Sequence, residues 1–87
     1  GQIEKLRYLS LQETQVGDEG MEYLMEAQNL EVLRLDYTRI SDAGLNSLKR
    51  MNKLRRVTLR GTSVTGEGIA GLQAVLPSCE IAGPSGL

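Results

Sequence analysis

Seven columns of residues recur at a fixed step of 24 along this 87-residue chain. That register constrains the fold more than any other feature. Leu6, Leu30 and Leu54 form one column, Leu9, Leu33 and Val57 a second, and Leu11, Leu35 and Leu59 a third. Thr14, Thr38 and Thr62 follow, then Val16, Ile40 and Val64, then Gly20, Gly44 and Gly68, then Leu24, Leu48 and Leu72. A unit this short cannot bury its apolar face alone, so successive units must stack around one continuous core.

Within each unit the period changes. Leu9 and Leu11 alternate with Tyr8, Ser10 and Gln12, and the same alternation recurs at Val32–Asp36 and Arg56–Arg60. Period two marks a short strand with leucines on one face and polar residues on the other. Stacked units place these strands in parallel, about 4.8 Å apart. A turn carries the threonine column, whose hydroxyls need backbone partners in their own or the adjacent unit. Gly17, Ser41 and Thr65 then form a helix N-cap column. Asp18, Glu19, Asp42 and Glu67 follow in the first turn, where carboxylates complement the helix dipole. Apolar residues at steps of three (Met21, Leu24, Ala27; Leu45, Leu48, Met51; Ile69, Leu72, Val75) predict a short α-helix or 3₁₀ segment over the sheet. An α-helix is expected in the first two units. Glycine inside a helix costs about 1 kcal/mol against alanine. The Gly20, Gly44 and Gly68 column therefore implies close backbone approach to the neighbouring layer.

One domain is expected over residues 1–82. Its repeats fall at about 6–29, 30–53 and 54–77, with a terminal edge strand at 78–82 and a disordered tail at 83–87. Ile3 shares the column of Ala27, Met51 and Val75. The periodicity thus runs upstream of the first full frame, and either more repeats precede Gly1 or something else caps that end. Phe and Trp are absent, so the core is aliphatic.

These frames resemble a 24-residue leucine-rich repeat of the form L-x-x-L-x-L-x-x-T-x-I-x-D-x-G-L-x-x-L, which Leu30–Leu48 matches almost throughout. The threonine variant is similar to bacterial arrays, notably those of planctomycetes. The closing Leu76-Pro77-Ser78-Cys79-Glu80-Ile81 is similar to the endings of such arrays, so the chain reads as an array's C-terminal end. The run Thr38–Leu45 also resembles F-box substrate receptors, whose repeats carry Cys for Thr and run about two residues longer. The resemblance covers residues 3–82, and two positions depart from it: Gly17 for Ser or Thr, and Gly66 for Asp. It implies an α/β solenoid of about three βα repeats, with a parallel sheet on the concave face and short helices on the convex face. It also implies a protein-binding scaffold rather than an enzyme.

The residues agree in what they lack. There is no histidine, which removes Ser-His-Asp and Cys-His catalysis and His-ligated metals, and no cofactor is expected. The lone Cys79 permits no intrachain disulfide, reads as a half-buried structural residue, and leans toward a reducing, cytoplasmic compartment. Gly61–Gly68 lacks the Lys-Ser/Thr ending of a phosphate loop. A net charge of −1 marks no bias toward nucleic acid or membrane. Arg55, Arg56 and Arg60 have no accompanying nucleic-acid module.

The polar strand positions remain: Tyr8, Ser10, Gln12, Arg34, Asp36, Tyr37, Arg56, Thr58 and Arg60, flanked by Glu13, Val32 and Gly61. They line the face on which solenoids of this class bind proteins, and Tyr and Arg are enriched at binding hot spots. A second reading of the same charges is repeat-to-repeat complementarity. It places Arg7, Glu31 and Arg55 in one column, Asp36 and Arg60 in another, and Glu26 and Arg50 in a third. The first strand exposes an unpaired edge, with Leu6, Leu9 and Leu11 beside it, which suits docking on another chain or self-association.

Overall fold

The computed structural model describes residues 2–84, so the last part of the expected tail, residues 85–87, lies outside the described residues. Four three-residue strands form one parallel sheet in sequence order: β1 Tyr8–Ser10, β2 Val32–Arg34, β3 Arg56–Thr58 and β4 Glu80–Ala82. The register follows the 24-residue step without a slip, with Tyr8 opposite Val32, Val32 opposite Arg56 and Arg56 opposite Glu80. Pairing runs past the strand ends, since Glu13 N–H donates to Asp36 O at 2.9 Å and Tyr37 N–H to Arg60 O at 2.6 Å. The α/β leucine-rich architecture expected from the repeat is the one observed.

Three helices return the chain behind the sheet: α1 Met21–Leu24, α2 Asp42–Leu48 and α3 Gly66–Val75. Each is short, as expected, but their lengths differ. The first unit enters through a 3₁₀ turn, Asp18–Gly20, and has only four α-helical residues, whereas the third has ten. The entries of the first and third helices differ in capping. Gly17 has no side chain to offer the first helix, whereas the Thr65 hydroxyl accepts from Gly68 N–H at 3.1 Å and starts the third helix cleanly.

The core lies between the two layers. Leu30, Leu33, Leu35, Ile40, Leu48, Val57, Leu59 and Leu72 are fully buried. The same columns open at the first unit: Leu6 is 36 % exposed, and Leu9, Leu11 and Val16 are only partly covered. The threonine hydroxyls all donate within their own unit, to Leu11 O, Leu35 O and Leu59 O at 2.7–2.8 Å. Of these three, only Thr38 in the middle unit is buried. Cys79 is buried in the core rather than half-buried. Burial, then the charge of Glu80, raises its thiol pKa, which suits an inert structural residue.

Each of the first three strands exits through a left-handed residue: Glu13 at φ 59°, Tyr37 at φ 58° and Gly61 at φ 69°. A side chain there is strained by about 1–2 kcal/mol. At Gly61 an added Cβ would also lie 2.3 Å from Tyr37 Cδ1, because the tyrosine ring rests on the glycine. Gly61→Ala is therefore expected to lower stability by about 1–2 kcal/mol. Glu13→Gly, at an exposed site of the same conformation, should leave stability unchanged or raise it by up to about 1 kcal/mol. Urea midpoints of the two variants check this, and a Gly61→Ala midpoint equal to the parent's contradicts it.

Candidate functional site

Period-two alternation turns every second side chain of the sheet away from the helices. It gathers seven of the nine expected residues around one shallow groove of about 240 Å³, namely Gln12, Arg34, Asp36, Tyr37, Arg56, Thr58 and Arg60. Tyr8 and Ser10 do not line it. The Tyr8 hydroxyl instead accepts from Arg34 Nε at 3.0 Å, and the Arg34 guanidinium lies 6.0 Å from the Tyr8 ring centroid. Ser10 Oγ makes a long contact with Gln12 N–H at 3.5 Å.

Sequence reasoning missed two neighbours of this groove. Ala82 closes its end, and Glu80 approaches Arg56 at 4.0 Å. The signal was present, because the 24-residue step puts Glu80 in the column of Arg56 and Ala82 in that of Thr58.

Asp36 sits at the floor, only 5 % exposed. Its Oδ2 accepts from Gln12 Nε2 at 2.5 Å and from Thr58 Oγ1 at 2.8 Å, while Oδ1 accepts from Arg60 N–H at 2.8 Å. Three consecutive repeats are tied by this one carboxylate. Burial pushes its pKa up. The hydrogen bonds from Gln12, Arg60 and Thr58, and then the charge of Arg34, outweigh that and hold it below the usual 3.8. The expected Asp36–Arg60 column is real, but its bond runs to the Arg60 backbone, so the guanidinium has no side-chain partner among the described residues. Arg7 and Glu31 do pair across units at 3.1 Å.

The sign of the pH dependence follows. A carboxyl whose folded pKa is depressed contributes stability that is fully present above its unfolded value and is lost as pH falls through the folded one. The Asp36 contribution should therefore be intact above about pH 5 and decay below 3.8. Asp36→Asn should lower stability at neutral pH by about 1–3 kcal/mol, as expected for hydrogen bonds to a charged group. It should also flatten the loss between neutral pH and pH 3. Urea unfolding of both proteins across that range checks it, and parallel pH profiles would contradict the assignment.

A second inter-repeat carboxylate system lies at the helix entries. Asp18 Oδ1 accepts from Ser41 N–H at 2.8 Å, and its Oδ2 accepts from the Ser41 hydroxyl. One unit on, Asp42 accepts from Thr65 N–H at 2.8 Å and from its hydroxyl at 2.6 Å. Those Thr65 bonds, side chain first, lower the Asp42 pKa. Sequence reasoning assigned these aspartates to their own helix dipoles, whereas each binds the next unit's cap residue. The same contact explains two of the three glycines in the column, while an added Cβ at Gly20 would instead meet Val16 Cγ2 of its own unit at 2.8 Å. An added Cβ at Gly44 would lie 2.5 Å from Asp18 Oδ1, and one at Gly68 would lie 2.0 Å from Asp42 Oδ1. This is the close approach that the repeated glycine implied.

Among the described residues no three His, Cys, Asp or Glu side chains are grouped to hold a metal ion. No helix among them is long and apolar enough to cross a membrane. The arrangement can offer charge and hydrogen bonds along an open sheet face. A family model described as Leucine Rich repeat matches residues 2–25 and 26–49, in two consecutive copies. The third unit, which continues the same strand register, lies outside the matched residues. No curated protein gave a match.

Proposed function

The chain belongs to the leucine-rich repeat family, and from that premise we propose that it is a non-catalytic protein-interaction scaffold binding through the concave sheet face. Repeats of this family generally mediate protein–protein interaction. The observation that carries the reading is the convergence of Gln12, Arg34, Asp36, Tyr37, Arg56, Thr58 and Arg60 on one groove. The floor of that groove is fixed by the Asp36 network, with Arg34 and Arg56 on the strands and Arg60 in the turn that Asp36 holds through the Arg60 N–H. Pre-fixed geometry lowers the ordering cost of binding. The Arg34→Glu/Arg60→Glu double variant should lose partner capture in a pull-down while keeping its circular dichroism. Capture that survives in a folded double variant removes the concave face from the proposal.

A second reading rests on the first unit. Ile3 is 40 % and Leu6 36 % exposed, whereas Leu30 and Leu54, in the Leu6 column, are 0 % and 4 % exposed. The outer edge of β1 also pairs with no strand among the described residues. Such an edge suits docking of another chain, a second copy included. Light scattering across a concentration series tests self-association, and a monomer at every concentration counts against it.

A further inference from the structure

We propose that the groove between β2 and β3 takes an extended acidic peptide segment of a partner protein, with Arg34, Arg56 and Arg60 gripping carboxylates at alternate positions. The proposal rests on the concave-face reading and adds the chemistry of the occupant.

The argument begins with spacing. Arg56 and Arg60 lie on one face of the β3 line, four residues apart, or about 13 Å at the usual strand rise. Arg34 stands one strand over, level with Thr58 between them. The three Cα positions therefore form a triangle with neighbouring spacings of about 8 Å, from which the long arginine side chains project over the groove. Side chains on one face of an extended peptide recur about every 6.6–7 Å. Carboxylates at every second residue can thus meet successive arginines, and each guanidinium can bind a carboxylate in a bidentate fork.

The charge is available. The carboxylate inside the groove, Asp36, already accepts three hydrogen bonds and sits beneath the surface. The other nearby acid, Glu80, touches Arg56 only at 4.0 Å between exposed side chains, a contact a partner can displace. Arg60 has no side-chain hydrogen bond or ion pair to give up among the described residues, and Arg34 hydrogen-bonds only the neutral Tyr8 hydroxyl, although its charge also acts on the Asp36 carboxylate. A nucleic-acid strand fits less well, because the chain as a whole carries a net charge of −1 and offers three arginines rather than an extended basic stripe to a continuous phosphate backbone.

Fluorescence anisotropy with a fluorescein-labelled peptide of alternating glutamate and valine tests this. A lysine–valine peptide and an oligouridylate serve as the other arms. The acidic peptide should bind, with affinity falling about tenfold or more at high salt. It should fall at least as far in the Arg34→Gln/Arg56→Gln/Arg60→Gln variant, and measurably in Arg60→Gln alone, which removes no side-chain hydrogen bond or ion pair among the described residues. Arg55→Gln, outside the groove, should bind as the parent does. Binding unchanged in the Arg60→Gln and triple variants overturns the proposal, as does preference for the lysine peptide, capture of the oligouridylate instead, or no binding in any arm. Selection from a random-peptide display library separates the two readings. Selected peptides that lack acids but are lost on Tyr37→Ala overturn the acidic occupant and leave the concave face standing. Selected peptides that bind every concave-face variant equally overturn both.

Discussion

Leu35→Ala is expected to abolish or severely weaken the cooperative fold of this chain. Leu35 is fully buried in the middle unit, and its column runs from Leu11 to Leu59, each just past the end of its strand. Truncating a buried leucine to alanine costs about 2–5 kcal/mol through lost transfer energy and the cavity left behind. A domain of this size has a total stability of about 4–13 kcal/mol. In this stack each layer is supported by its neighbours, and the middle one has a full unit on both sides, whereas the third has only the short strand β4 beyond it. Opening a cavity there weakens both interfaces together. Far-ultraviolet circular dichroism should show lost secondary structure, or urea unfolding a collapsed midpoint. Leu11→Ala is the control, being in the same column but only partly buried. Its loss should be smaller, because less surface returns to water and the site is already open on one side. A folded Leu35→Ala protein with the parent's midpoint would refute the stacked-core account.

The step of 24 made the sheet legible, because side-chain period and repeat period are both fixed by backbone geometry. Once Leu9, Leu33 and Val57 share a column, parallel pairing of Tyr8, Val32 and Arg56 follows. The same logic placed the groove residues on one face. Features that depend on which layer a side chain reaches toward were harder to read. Asp18 and Asp42 sit in the first turn of their own helices, so the dipole explanation was sufficient in one dimension. Only in the stack does each carboxylate reach the cap residue 23 positions on. A trace of this was present, since each Asp is followed by Ser or Thr at that distance and by Gly three residues later. Asp36 was legible as a surface charge but not as a buried knot, because its burial depends on Gln12 and Thr58 closing over it from two other units. The left-handed column was illegible for a different reason. Glu13, Tyr37 and Gly61 share a conformation but no chemistry. Two of them are held there by the ladder rather than by their own preference.

Gly68→Ala provides the sharpest test of the aspartate contact, because local and tertiary expectations have opposite signs. In an isolated helix the change stabilises by about 1 kcal/mol. Gly68 lies in the first turn of α3, and its added methyl would meet the Asp42 carboxylate at 2.0–2.9 Å. That carboxylate cannot swing aside freely, since the Thr65 N–H and hydroxyl hold both of its oxygens. Thr65 in turn caps α3 through Gly68 N–H, so displacing Asp42 disturbs the cap as well. Overpacking of this kind typically costs about 1–3 kcal/mol, enough to reverse the helix gain. Gly68→Ala should therefore lower the urea midpoint. In an Asp42→Ala background, where nothing remains for the methyl to strike, the same substitution should become neutral or stabilising. The coupling between the two changes, read from a double-mutant cycle, isolates the contact from the helix propensity. Additive effects in that cycle would mean that the recurring glycine is not there to admit the neighbouring unit's carboxylate. A strong coupling would identify the Asp–cap–Gly set as the polar clasp between units, working on the helix side as the leucine columns work in the core.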